Sequence, residues 1–253
     1  MSMNGSYEGI EADTYDLWFV GDSSEESDFY ETCMKEVPGP ALEIGSGTGR
    51  LLLPYLQKGY DVHGVEPSKQ MNDICKAKGK QIGVDPVLYD QYMQHLDLTL
   101  SYKTIYIPLA SFMLVADRDE AIKALELMYL HLEEDGQVII PLFIPREQLS
   151  SPKKEWTIRR CGEREDGATI VVNQSSDIAF NDQIQTNWNR YEIYHAGKLV
   201  ESNFEVMKLR WYYRYEFEMM LERAGFRDVS LYRGYDRSPL SADQSFMIFR
   251  ARK

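Results

Sequence analysis

Two acidic residues frame a glycine-rich turn in this sequence. Glu43 precedes Gly45 by two residues, and glycines recur at Gly45, Gly47 and Gly49 within Glu43-Ile44-Gly45-Ser46-Gly47-Thr48-Gly49-Arg50. A second acid, Glu66, ends the next apolar stretch. Glycines let a backbone turn sharply and approach a ligand with no Cβ in the way. A helix starting just beyond such a turn presents unpaired N–H groups, which favour an anion or a carboxylate. An acid at the tip of the second strand is placed to accept hydrogen bonds from ribose hydroxyls. The dinucleotide fingerprint GxGxxG would put its third glycine at position 50, which is Arg50, so the spacing here is GxGxG. Glu43 would repel a pyrophosphate and suits a ligand that carries positive charge.

Other chemistries are poorly provided for. Cys33, Cys75 and Cys161 are far apart and odd in number, which excludes a disulfide framework and a CxxC metal site. His63, His95, His131 and His195 show neither HxxxH nor HExxH spacing, so no metal is expected. This cysteine usage fits a reducing, cytoplasmic compartment. Trp188, Arg190 and Tyr194 share one parity of an expected strand and are candidates to line a substrate mouth, while Tyr213 sits at a strand–helix junction where a pocket wall could form.

The elements that must position these residues alternate. Residues 22–36 read as an amphipathic helix opened by a Ser23/Glu26 capping box, with Phe29, Tyr30, Cys33, Met34 and Val37 on one face. A strand at Ala41–Ile44, a helix at Arg50–Lys58, a strand at Asp61–Glu66 and a helix from Pro67 to about Lys78 follow. Shorter strands are expected at Val87–Tyr89 and Thr104–Pro108. Asp117 and Glu120 cap a helix burying Ala121, Ile122, Leu125, Met128 and Leu132, with Gly136 as its left-handed stop before a buried strand at Gln137–Ile144. Strands alternating with helices imply a parallel sheet covered on both faces. After Pro145 the texture becomes β-rich, with antiparallel strands expected near 155–161, 169–176, 183–195 and 199–211 and a bulge in the third. A helix at Tyr215–Ala224, stopped by Gly225, and strands at Val229–Tyr232 and Phe246–Ala251 close the chain.

Composition narrows the partners. The 253 residues suggest one large domain or one domain with an insertion. There are 40 acidic and 28 basic residues, a net charge of −12, which argues against nucleic acid and anionic membrane surfaces. No apolar run approaches the ~18 residues of a membrane span. The first eleven residues are polar and lack a signal peptide's apolar core.

Ala41 to Met71, ALEIGSGTGRLLLPYLQKGYDVHGVEPSKQM, resembles the core of class I S-adenosylmethionine-dependent methyltransferases. Tyr15-Asp16, IYIPLASF at Ile105–Phe112 and LRWYYRYEFEMMLERAGF at Leu209–Phe226 are similar to further segments of that family. The resemblance implies a Rossmann-like, seven-stranded mixed sheet with helices on both faces. It implies a single domain over 1–253, with 153–212 as an antiparallel β insertion facing the substrate, as in small-molecule methyltransferases such as sugar N-methyltransferases. The implied cofactor is S-adenosyl-L-methionine. Glu43 and the turn Gly45, Ser46, Gly47 and Gly49 would hold its methionine portion, and Tyr15 would close over the sulfonium. Glu66 would bind the ribose diol, with Pro67 and Met71 flanking the adenine. Gln91, Tyr92 and Met93 take the place of the family's acid-plus-apolar adenine reader, with Asp90 just before them. Pro108 and Ser111 would lie beside the sulfur. The implied activity is methyl transfer to a nitrogen or oxygen of a small molecule, with a homodimer as a candidate assembly and no catalytic residue assigned. A catalytically silent cofactor-binding protein and a nicotinamide-dependent oxidoreductase are the alternatives.

Overall fold

The structure is a computed structural model that describes residues 7–19, 24–150, 154–241 and 244–253. Ser23, the expected cap of the first long helix, lies outside the described residues. The strands of the main sheet are β1 (Ala41–Ile44), β2 (Val62–Val65), β3 (Leu88–Tyr89), β4 (Tyr102–Tyr106), β5 (Leu132–Phe143), and, after an inserted sheet, β10 (Arg227–Tyr232) and β11 (Phe246–Arg252). They lie in the order β10-β11-β5-β4-β1-β2-β3. β1 to β5 run parallel, and β11 is antiparallel to both β5 and β10. The inserted sheet is antiparallel, in sequence order: β6 (Thr157–Glu163), β7 (Thr169–Ala179), β8 (Ile184–His195) and β9 (Lys198–Arg210).

Among the described residues, seven α-helices connect or cover these strands: α1 (Ile10–Thr14), α2 (Ser24–Glu36), α3 (Leu52–Gln57), α4 (Lys69–Ile82), α5 (Arg118–His131), α6 (Arg146–Ser150) and α7 (Arg214–Arg223). Period-two alternation divides the central strands between two cores. Leu42, Ile44, Ile105 and Ile140 face α5 and α7, packing with Leu125, Met128 and Phe217. Ala41, Tyr106 and Ile139 face α2 and α3, packing with Phe29, Tyr30, Cys33, Leu52 and Tyr55. Among the described residues, no helix is long and apolar enough to cross a membrane.

Local chemistry sets the boundaries. Asp117 caps α5 by accepting from the Asp119 and Glu120 N–H groups at 2.9 and 3.0 Å. Helix α4 runs four residues past the expected Lys78, because Gly83 (φ 78°) supplies the left-handed stop and sends its N–H back to the Gly79 and Lys80 carbonyls. The stop after α5 differs from expectation. The chain enters β5 directly at Leu132, the left-handed residue is Asp135 (φ 59°), and Gly136 is needed for space: a Cβ there would lie 2.8 Å from the Glu133 carbonyl oxygen. The irregularity expected in β8 falls between Ile193 and Tyr194.

The glycine turn between β1 and α3 is packed as well as bent. Gly49 adopts φ +83°, and a Cβ there would lie 2.6 Å from Cys75 Sγ and 2.7 Å from Leu53 Cγ. Left-handed strain of roughly 1–2 kcal/mol and overpacking of roughly 1–3 kcal/mol should combine in Gly49→Ala. The expected outcome is a loss of about 2–5 kcal/mol in denaturant unfolding; a loss below 0.5 kcal/mol, on the order of an ordinary surface substitution, would contradict this packing.

Candidate active site

The site forms at the C-terminal edge of the parallel strands, where open α/β sheets bind ligands. The turn after β1 is held by Gly45 and Ser46 N–H groups donating to the Val65 carbonyl at 2.7 and 3.1 Å. Glu66, only 6% exposed, then spans the gap between two elements. Its Oε2 accepts the Gly47 N–H at 3.0 Å and its Oε1 accepts the Ser68 N–H at 2.8 Å. Burial pushes its carboxyl up to about 7, against the pull of those two N–H groups. Each oxygen keeps a free lone pair, and the residue lines a cavity of about 520 Å³.

The N-terminal segment straps this cavity. The Ser68 hydroxyl donates to the Tyr7 carbonyl at 2.8 Å, and Gln70 bonds Gly9 and Asp13. Asp16 receives the Thr48 hydroxyl at 2.6 Å and pairs with Lys78 at 2.9 Å, fixing the strap to the glycine turn. Tyr15 is thereby laid against Gly47, whose Cβ position is 3.8 Å from the ring. Arg50 contributes from behind, pairing with Glu26 at 2.7 Å beneath the Phe19 ring.

The structure brings most of the expected cofactor residues together. Tyr15, Gly45, Gly47, Glu66, Pro67, Met71, Gln91, Tyr92, Met93 and Ser111 all line the cavity. The Gln91 amide clasps its own loop: Nε2 donates to the Asp97 carbonyl and Oε1 accepts the Asp97 N–H. Asp90 is turned to Asn72 and does not line the cavity. Glu43 also lies outside the lining, beneath the turn, accepting the Tyr106 hydroxyl at 2.9 Å. Burial pushes its carboxyl up to about 8, so it is a weaker charge complement than its position in the sequence suggests. Ser46 is buried against Gly64, Gly49 packs on Cys75 and Leu53, and Pro108 supports Ser111 by accepting its hydroxyl at 2.9 Å. These residues shape the cradle from behind.

The residues expected at a substrate mouth lie away from the cavity. Trp188, Arg190 and Tyr194 lie on the outer face of the inserted sheet, where Arg190 covers the Trp156 ring and pairs with Glu192. Tyr213 is 42% exposed at the start of α7 and is absent from the cavity wall. The opposite parity faces inward, with Asn189 and Tyr191 of β8 and Met207 and Leu209 of β9 on the cavity wall, and Arg159 and Arg160 join them at the register irregularity in β6. Glu11, Leu109 and Ala110 also line the cavity. Leu109 and Ala110 hold left-handed φ of 54° and 58°, and such strain in non-glycine residues clusters at functional sites. The ordinary amphipathic rule could not reveal the inner face of β8, because Gln185, Asn187 and Asn189 are buried there.

Residues 41–136 match the family described as "Methyltransferase domain". Over those 96 residues, about two-fifths of the chain, the sequence is similar to that domain. An uncharacterized methyltransferase of Alkaliphilus oremlandii is 29% identical over 140 residues, covering 51% of this chain and 62% of the relative. The alignment thus spans about three-fifths of that relative. An S-adenosylmethionine-dependent methyltransferase from Clostridium acetobutylicum superposes with TM-score 0.80 at 18% identity, covering 95% of this chain and 96% of the other. The sugar N-methyltransferase KedS8 from Streptoalloteichus gives TM-score 0.73 at 20% identity, covering 94% and 93%.

The cofactor of this class is S-adenosylmethionine, and the methyltransferase-domain residues fit it. A Cβ at Gly45 would press on Ser111 at 3.3 Å, and Gly47 holds a left-handed φ of +51°, so the cradle is kept open by glycine. Glu66 offers two acceptor oxygens to a diol, and Pro67, Met71, Tyr92 and Met93 form an apolar slot for a flat base. Among the described residues, no group of three His, Cys, Asp or Glu side chains could hold a metal.

The buried carboxyls give the ligand-free protein a distinctive pH response. Glu43 and Glu66 titrate near 8 and 7 in the fold against an ordinary 4.5, so the folded chain binds protons that the unfolded chain releases. Their contribution is intact below pH 4.5 and is lost as pH rises through 7 and 8. The melting midpoint should therefore fall from about pH 5.5 to about pH 9. Glu43→Gln, which keeps the Tyr106 contact and removes the charge, should raise the midpoint at about pH 8.5 and flatten the profile. A midpoint rising over that range would contradict the assignment.

Proposed function

We propose that this protein transfers the methyl group of S-adenosylmethionine to a nitrogen or oxygen of a small molecule. The observation that carries the reading is one continuous cavity of about 520 Å³ with two unlike ends. The glycine turn, Glu66 and the Pro67/Met71 slot bound one end, and the polar inner face of the inserted sheet bounds the other. The volume falls within the usual range of small-ligand pockets. The likeness to KedS8, a sugar N-methyltransferase, covers 94% of this chain and so takes in most of the inserted sheet, which supports reading 153–212 as a substrate-facing insertion in a single domain. The net charge of −12 weighs against a nucleic-acid acceptor.

When bound, S-adenosylmethionine supplies a methyl on a positively charged sulfur that departs as a neutral thioether. The protein's task is alignment and exclusion of water. In this reading Glu66 accepts from the ribose hydroxyls, while Pro67, Met71, Tyr92 and Met93 enclose the base. The backbone of Gly45, Ser46 and Gly47 receives the amino-acid portion. Tyr15 presents its ring to the sulfur, where a π-face favours a cation; burial keeps its hydroxyl protonated. Leu109, Ala110, Phe143 and Leu209 exclude water along the cavity wall. Alignment of this kind can be worth roughly 7–11 kcal/mol.

Calorimetry with S-adenosylhomocysteine, the demethylated cofactor, tests the proposal. One site per chain is expected for the unaltered protein. Glu66→Ala should weaken it about 100-fold, the equivalent of about 2.7 kcal/mol. Gly47→Val, which drives a branched side chain into Tyr15 at a left-handed position, should abolish it. Stoichiometric binding of NADH with none of S-adenosylhomocysteine would overturn the reading.

A further inference from the structure

A β-bulge aims two arginines into the cavity. In β6, Ile158 lies opposite Asn173 and Arg160 opposite Val172, so Arg159 is an extra residue in the ladder. Neighbours on a regular strand point to opposite faces, and a bulge re-aims them. Arg159 and Arg160 accordingly both line the cavity. Arg160 lies over the Trp18 and Phe19 rings, 5.7 and 5.6 Å from their centres. Phe19 in turn packs 4.7 Å from Tyr15, the ring laid on the glycine turn. The guanidiniums therefore sit on the inserted-sheet side of the cavity, with Arg160 one ring removed from Tyr15.

Neither guanidinium is answered by the protein. Among the described residues, neither makes an ion pair or donates a hydrogen bond. Arg159 is exposed, yet the protein around it strips away enough water, and Arg160 lies close enough, to push its pKa down. The charge of Glu11 reaches Arg159, but that carboxyl is already engaged. It accepts the Tyr191 hydroxyl at 3.0 Å and is hydrogen-bonded to Glu205 of β9. Burial and the contact with Glu11 push the Glu205 carboxyl up to about 9, so Glu205 is neutral at ordinary pH. Two guanidiniums thus face one carboxylate, and one positive charge on the cavity wall has no counterpart.

We propose that Arg159 and Arg160 bind an oxyanion, a carboxylate or a phosphate, carried by the methyl acceptor. This rests on the methyltransferase reading and deepens it by giving the acceptor a charge. A guanidinium is a planar fork of five N–H donors that matches either oxyanion. The rings of Trp18 and Phe19 hold Arg160 by its face and leave its N–H edge to donate. An uncompensated cation held among protein atoms is costly, and a bound oxyanion removes that cost. The net charge of −12 repels anions at long range, but salt screens this beyond about 8 Å, and the wall's own charge decides the contact. Anchoring the acceptor here orients its nucleophile along the cavity toward Tyr15 and the glycine turn. The cofactor's own carboxylate belongs at that turn and is a separate ligand group.

Ligand-observed NMR at about pH 7, with S-adenosylhomocysteine present, tests the subsite with two pairs of probes. Cyclohexanecarboxylate is compared with cyclohexanecarboxamide, and cyclohexyl phosphate with cyclohexanol. At least one oxyanion should bind about tenfold tighter than its neutral counterpart, or about 1.4 kcal/mol. The pair with the larger preference tells carboxylate from phosphate. Arg159→Gln should remove the preference while S-adenosylhomocysteine affinity stays unchanged. Arg159→Lys, which keeps the charge and loses the fork, should retain part of it. Arg160→Gln should reduce it. No binding of either oxyanion, no preference over the neutral probes, or a preference that survives both glutamine variants overturns the inference. Weakened S-adenosylhomocysteine binding in Arg159→Gln would assign this arginine to the cofactor and overturn it as well. Absence of S-adenosylhomocysteine binding by the unaltered protein would instead overturn the methyltransferase reading.

Discussion

A buried carboxylate bonded to two backbone N–H groups holds this site together. Glu66 bridges the glycine turn after β1 and the start of α4, accepting Gly47 N–H at one oxygen and Ser68 N–H at the other. Burial alone would drive such a group to its neutral form, and the two N–H donors oppose that. The same bonds fix the distance between the two loops that bound the crevice. Positions 45 and 47 favour glycine because both hold left-handed φ, +75° and +51°, and a Cβ at 45 would also press on Ser111 at 3.3 Å. A local electrostatic bargain and a local steric limit thus set the shape of the ligand cradle.

The rest of the chain divides the labour around that cradle. The seven-stranded sheet supplies rigid strand ends, with apolar cores on both faces. The inserted sheet supplies a wall whose inner face is polar where it meets the cavity and apolar where it meets the strap. Ile170, Val172, Tyr191 and Ile193 pack with Ile10 of α1, bringing Leu17 and Trp18 against the same cluster. That packing brings the N-terminal segment across the cavity, and the Asp16 contacts to Thr48 and Lys78 lock it onto the cofactor end.

The sequence made the frame legible because period-two and period-3.6 patterns, caps and glycine stops all agree there. Phe29, Tyr30, Cys33 and Met34 pack as one buried helix face, and Asp117 caps α5 through its side chain. The fingerprint around Gly45 to Gly49 and Glu66 was legible because only a few residue types satisfy that bend. The cavity wall formed by the inserted sheet was harder to read for a physical reason. On β8 the inward face carries Gln185, Asn187, Asn189 and Tyr191, and the outward face carries Trp188. A strand lining a polar cavity inverts the apolar-in rule, so aromatic parity pointed to the wrong face. Glu11 gave no sequence signal: α1 has five residues, too few for a periodic pattern, and its partner Glu205 is 194 positions away on β9. Glu43 was read as a charge facing ligand, yet it is packed beneath the turn on Tyr106.

A crystal structure of the complex with S-adenosylhomocysteine tests the central claim most directly. The expected result is the ribose diol on Glu66, the base between Pro67, Met71 and Met93, and the thioether sulfur between Tyr15 and Ser111, facing the inserted sheet. A complex with the ligand elsewhere, or with Glu66 turned away from the ribose and the crevice closed by side chains, would contradict it.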